Sequence, residues 1–262
     1  MEKSYSRVAI ILFVVFVAGT LAGQTTTDVP LTVSFSAPES APSLHEPVYI
    51  DVTIQNRSAQ TIEVDLGIKR KANFQFIIET PGGVTVRPPR LISSGIGPLS
   101  RIPVGSGQTY QQRLLLNEWF QFDLPGDYSV KATLLATVRS VEGATLKKEW
   151  SGQIPLWVQP RNEDRLRSIC QDLVEAAVNP HDSRIARDAA FALSYIVDPV
   201  AVPYLEQVLK ESYFGKELAI QGLGRISNAE AVRVLRSAMA DADAELKMLI
   251  QRELMRARNT DH

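Results

Sequence analysis

The sequence predicts an all-β part followed by an all-α part, an antiparallel β-sandwich and then a short helical array. Three observations carry that expectation. From Leu31 to Pro160 the apolar residues recur with period two, the spacing of half-buried strands. Beyond Pro160 the spacing changes to three and four, alanine and leucine increase, and glycine and proline thin out. The helical part then matches itself at an offset of 30 residues, Leu193 on Leu223 and Leu205 on Leu235. A length of 262 residues accommodates two such units.

The chain opens with Lys3 and Arg7 ahead of an apolar run, Val8 to Ala18, and then small residues at 19–23. This is the three-part pattern of a secretory signal peptide over 1–23, cleaved after Ala22 or Gly23. The alternative is an uncleaved membrane anchor, although the run falls short of the roughly 20 residues that a bilayer requires. No cysteine follows the run to take a lipid. The protein is therefore expected outside the cytoplasm, periplasmic or secreted. A short polar linker spans 24–30.

The sandwich domain is expected over 31–160. Leu31, Val33 and Phe35 alternate with Thr32 and Ser34, and Val48 to Ile54 alternate with Tyr49 to Gln55. Further strands are expected at 61–66, 73–80, 84–87, 109–116, 127–138 and 146–158, separated by Pro and Gly breakers. Leu124 to Val130 places a Pro-Gly turn before Tyr128, which then shares a face with Val130, Ala132 and Leu134. Tyr128 resembles the tyrosine corner of immunoglobulin-like sandwiches, whose hydroxyl bonds back to upstream backbone. With Glu46 to Ser58 and Phe74 to Gly83, the pattern is similar to bacterial Ig-like domains of the proteinase-inhibitor type.

The helical domain is expected over 161–262. Leu166, Ile169, Cys170, Leu173, Val174 and Ala177 form one stripe, ending near Asn179 and Pro180. His181-Asp182-Ser183 opens the next helix, with Asp182 or Ser183 as its cap. In the repeat, Ala189 matches Ala219, Ile196 matches Ile226 and Ala201-Val202 matches Ala231-Val232. Asp198 and Asn228 share the cap position of the second helix in each unit, and Pro199 suits its first turn. The segments Ala186 to Leu193 and Asp198 to Leu205 resemble the short HEAT-like repeat family of the phycobilisome-lyase type. That resemblance implies helix pairs stacked into a protein-binding surface. About six helices are expected, two full pairs with a capping helix at each end, and Gly222-Leu223-Gly224 lets neighbours approach closely. Arg252 and Glu253 read as a polar cap closing the stack.

The net charge of −1 gives neither half a one-sided field, so nucleic acid is not an expected partner. A single cysteine excludes an internal disulfide, and three scattered histidines suggest no metal site. Cys170, on the apolar stripe with no base nearby in sequence, reads as a core thiol. No cofactor and no catalytic residue is expected. Candidate partner contacts are Glu206, Gln207, Arg233 and Arg236 on the second helices. Trp119 and Phe120 join them, placed where a loop before the Pro-Gly turn exposes aromatics. Trp157 reads as sandwich core, and Asn56-Arg57-Ser58 as a turn that also fits a glycosylation sequon. The leading expectation is an exported, non-catalytic scaffold that binds a protein partner, with membrane contact only if the N-terminal segment is uncleaved. The alternatives are a regulator of extracytoplasmic proteases, acting through the Gly/Ser/Pro-rich loop 88–107, and an enzyme whose site assembles from distant residues.

Overall fold

Alternation builds the first half. In the computed structural model, which describes residues 31–89, 101–140, 143, 145–179 and 182–260, the strands come in chain order. They are β1 (Leu31–Ser36), β2 (Tyr49–Asn56), β3 (Ile62–Asp65), β4 (Phe74–Glu79), β5 (Thr85–Val86), β6 (Arg101–Val104), β7 (Thr109–Leu115), β8 (Gly126–Ser140) and β9 (Thr145–Val158). One sheet runs β1-β2-β7 and the other β5-β4-β8-β3-β6, with β9 antiparallel along the length of β8. The two sheets form an antiparallel sandwich. Val52 and Ile54 of β2 and Phe74, Phe76 and Ile78 of β4 all enter one core with Val130, Ala132 and Leu134 of β8. The expected signal segment 1–23, the linker 24–30 and positions 90–100 lie outside the described residues, as does His181.

Two local features follow from single side chains. The Tyr128 hydroxyl donates to the Leu124 carbonyl at 2.8 Å, the tyrosine-corner bond read from the sequence. Asn56, at the end of β2, is fully buried and its amide donates to the carbonyls of Gln60, Val104 and Gly105 at 2.7, 2.8 and 3.0 Å. It clamps the β6–β7 connection onto the turn after β2, and the amide nitrogen that the sequon requires is consumed inside the fold.

Within the loop expected over 88–107, Arg101–Val104 form a strand. Arg101 to Val104 pair with β3, with Ile102 and Val104 turned into the core. Pro103 is tolerated because β6 is an edge strand, where a missing N–H breaks no ladder.

Six helices follow: α1 (Glu163–Val178), α2 (Ser183–Ser194), α3 (Val202–Glu211), α4 (Lys216–Ile226), α5 (Ala229–Ala238) and α6 (Ala244–Thr260). Several of their starts are fixed by short polar side chains that accept from the first turn. Asn162 caps α1 through Arg165 N–H at 3.0 Å, Asp182 caps α2 at 2.7 Å and Asn228 caps α5 at 2.8 Å. Asp198 caps the 3₁₀ turn Pro199–Ala201 that leads into α3. The helices make two layers. In one, α2 packs on α4 and α4 on α6; in the other, α1 packs on α3 and α3 on α5. Positions 30 apart occupy equivalent sites: Leu193 and Leu223, Ala201 and Ala231, and Leu205 and Leu235 are all buried.

At the end of the stack the expected polar cap is half corrected. Arg252 faces solvent, but Glu253 is turned inward and buried. Gly224 makes room for it, since a Cβ there would lie 2.6 Å from Glu253 Oε2. Arg252 at 3.1 Å and Arg256 at 3.9 Å balance the charge from outside.

Candidate functional site

The surface on which the two halves meet is built from charges that the sequence scatters between Glu46 and Arg225. The turn before β2 carries Ser43, His45 and Glu46. Glu46 is buried, and its Oε1 accepts from Ser43 Oγ at 2.5 Å and pairs with Arg165 Nε of α1 at 2.8 Å. Asn117, in the 3₁₀ turn Leu116–Glu118, holds the same segment by accepting from Val48 N–H at 2.6 Å. Beside it, Arg161 forms a bidentate pair with Asp198 at 2.7 and 3.1 Å. Burial acts to raise the Asp198 carboxyl, but the hydrogen bonds from Arg161 and from Val200 N–H outweigh it and leave the group below the usual range. His45 adopts a φ of 71° and its Nδ1 is buried without a partner.

A second row runs along α2. Lys71 is salt-bridged to Glu118 and lies 4.8 Å from the Phe191 ring centroid. Phe191 meets Tyr195 edge-on at 5.0 Å, and the Arg225 guanidinium stacks 4.0 Å from the Tyr195 ring while donating to the Ser194 carbonyl at 2.9 Å. Burial raises the Tyr195 hydroxyl, the Tyr49 hydroxyl and the Asp188 carboxyl, and lowers the Arg225 guanidinium. Such a cluster of shifted groups at a domain boundary is the kind of place where ligands are held. It brings together cations, rings and carboxyls suited to recognising a polar group. Among the described residues no group of three His, Cys, Asp or Glu is placed to hold a metal ion.

The residues singled out from the sequence divide. Trp119 and Phe120 are not an exposed patch. The 3₁₀ turn ahead of them directs both inward, Trp119 to 8% exposure and edge-on to Phe76 at 4.9 Å, Phe120 against Phe122 and Tyr128. Trp157 is corrected the other way. Ile154, Leu156 and Val158 take the inner face of β9, so period two puts Trp157 outside at 49% exposure, opposite Asp127. Glu206 and Gln207 lie on the outer side of α3, engaged with Lys210 at 2.7 Å and Glu211 at 3.1 Å. Arg233 and Arg236 are exposed on α5, and Arg233 sits 3.8 Å from Glu230. Because α3 packs on α5, these four share one layer of helices.

No family model matches the chain, and no curated protein does. Among solved structures, the chain is similar to a structural-genomics target named SoR45 at 16% identity, covering 51% of this chain and 90% of that one with a TM-score of 0.30. An ASH/PapD-like domain of human CEP192 is matched at 8% identity over 56% of this chain and 99% of that one, TM-score 0.34. The ApaA protein of Bordetella pertussis is matched at 14% identity over 52% and 96%, TM-score 0.28.

The seam residues were missed at the level of sequence because their partners lie far away in the chain. Asp198 was legible as a cap but not as the partner of Arg161, 37 positions earlier. Lys71 belongs to a basic triplet, Lys69 to Lys71, too short to signify alone; the positive φ of Lys69 and Arg70 turns it towards Glu118 and Phe191. Cys170 is a core thiol. Burial pushes its pKa up to about 12, so a negligible fraction is thiolate at pH 8. A disulfide-exchange reagent at pH 8 is expected to leave Cys170 unmodified in the native protein and to titrate one thiol after denaturation. Rapid native labelling would contradict this placement.

Proposed function

We propose that this is an exported, non-catalytic binding protein in which a sandwich and a HEAT-like helical array act together as a scaffold for a protein partner. The observation that carries the reading is the joint. Glu46–Arg165 and Arg161–Asp198 are ion pairs with buried carboxylates, one reaching across from the sandwich and one bracing α1 against the turn into α3. A pair held this way is costly to break by removing one partner. The helices are thus presented at a fixed angle, and binding pays little to order them. The layer containing α3 and α5 offers Glu206, Gln207, Arg233 and Arg236 to solvent, and stacks of helix pairs bind along such layers. The export part of the reading rests on the residue pattern at 1–23.

The test is affinity capture from a cell-envelope extract with the intact protein as bait, beside an Arg233→Glu/Arg236→Glu variant. A partner held by the wild type and lost by the variant is the expected result. Equal recovery by both baits would remove the α5 face from the proposal, and recovery of nothing would count against the scaffold role.

A further inference from the structure

We propose that the outer edge of β9 pairs with the same strand of a second copy of this chain, joining two sandwiches into a two-fold dimer. It is a different surface from the α3 and α5 face, and it stands on its own observations. Among the described residues β9 has one ladder, the unbroken one to β8. Just past its end, the Gln159 N–H donates to the Pro42 carbonyl at 2.8 Å and the Gln159 carbonyl accepts from Leu44 N–H at 3.0 Å, both on the side away from β8. In an antiparallel pair the backbone groups turn alternately towards the partner and away from it. Gln159 therefore fixes the phase: the N–H and C=O groups of Thr145, Lys147, Glu149, Ser151 and Gln153 also point away from β8. Pro155 belongs to the same set, where its missing N–H breaks no ladder. Among the described residues no strand takes up this row.

An open row of backbone donors and acceptors is answered by another extended strand. The side chains decide which one. Lys147 is exposed on this edge, and a lysine there turns away a strand that sets no acid against it. The inner flank asks for apolar residues at alternate positions, because Leu146 is half-buried and Trp150 packs with Val33 and Phe35 on the rim of the core. Residues 145–151 of a second β9 meet both requirements. With the two strands antiparallel about an axis at Lys148, Lys147 stands opposite Glu149 of the second copy and Thr145 opposite its Ser151. On the inner flank Leu146 stands opposite Trp150 of the second copy. Among the described residues no ion pair engages Lys147 or Glu149, whereas Lys148, on the axis, already has a partner within its own chain. The net charge of −1 leaves two copies with little mutual repulsion. Charge and alternation thus make the strand complementary to itself.

The experiment is sedimentation velocity on the intact protein from about 1 to about 200 μM, a range that covers weak self-association. A reversible equilibrium between monomer and dimer in the micromolar range is the expected result. Ser151→Pro removes an N–H that bonds nothing within the monomer. Its circular dichroism spectrum should therefore match the wild type, while dimerisation weakens at least about tenfold. Lys147→Glu sets two pairs of acids against each other across the axis and should weaken dimerisation about tenfold. The exchanged variant Lys147→Glu/Glu149→Lys restores opposite charges at both places and should dimerise as the wild type does. A protein that is monomeric throughout the range, a dimer of full affinity in Ser151→Pro, or an exchanged variant no tighter than Lys147→Glu would each overturn the proposal.

Discussion

Asp198→Ala is expected to destabilise the protein by about 3 kcal/mol, from a lost cap of about 1 kcal/mol and lost charge-assisted bonds of about 2 kcal/mol. Asp198 both starts the turn into α3 and anchors Arg161 beside the last strand of the sandwich. Urea unfolding can follow the two halves separately. Trp119, Trp150 and Trp157 are all in the sandwich, so tryptophan emission reports that half and helical circular dichroism reports the other. In the wild type the two transitions should coincide; in Asp198→Ala the helical one should move to lower urea and separate. The sign with pH follows from the depressed carboxyl. A group held below its unfolded value of about 3.9 contributes fully above about pH 5, and the contribution is lost as the pH falls through the folded value. Asp198→Asn should therefore flatten part of the acid limb of stability against pH. An unchanged acid limb would show that the carboxylate is not what holds the joint.

The second large effect is expected at Gly222→Leu. A Cβ at this position would lie 2.9 Å from the Ser194 Cα and 3.0 Å from Leu205 Cδ2. Backbone cannot give way as a flexible side chain can, so the larger residue must push α4 off α2, at a cost of about 3 kcal/mol. Gly222→Ala gains about 1 kcal/mol in helix propensity and still meets the Ser194 backbone, so it should be destabilising by less. A shift in the urea midpoint at constant slope measures both. A Gly222→Leu protein as stable as the wild type would mean that the helices are not packed as closely as described.

What could be read beforehand was what depends on neighbours in sequence. Strand alternation, the caps at Asp198 and Asn228 and at Asp182 or Ser183, the Tyr128 corner and the close approach at Gly222 are each carried by a few adjacent positions and a local rule. The failures share a cause. Trp119 and Phe120 were placed by the breakers around them, whereas the 3₁₀ turn and the rings of Phe76, Phe122 and Tyr128 decide where they go. Trp157 was placed by its hydrophobicity, whereas its parity on β9 decides. Glu253 was expected outside because it is charged, yet Gly224 on another helix leaves a space that it fills. The seam was invisible for the same reason: Glu46 and Arg165 are separated by β2 to β9 and share no pattern in the chain.

The joint also bears on how such a chain can lengthen. Arg165 fastens α1 to the sandwich, so a helix pair inserted ahead of α2 would have to rebuild that attachment. Nothing comparable fixes the connection between α5 and α6, residues 239–243. Duplicating the 30-residue unit there would leave α6 with its Gly224-like seat on the new neighbour, and the sandwich would not register the change. Growth by tandem duplication is thus open at one end of the array and closed at the other, which gives a lineage of such proteins a constant head and a tail of variable reach.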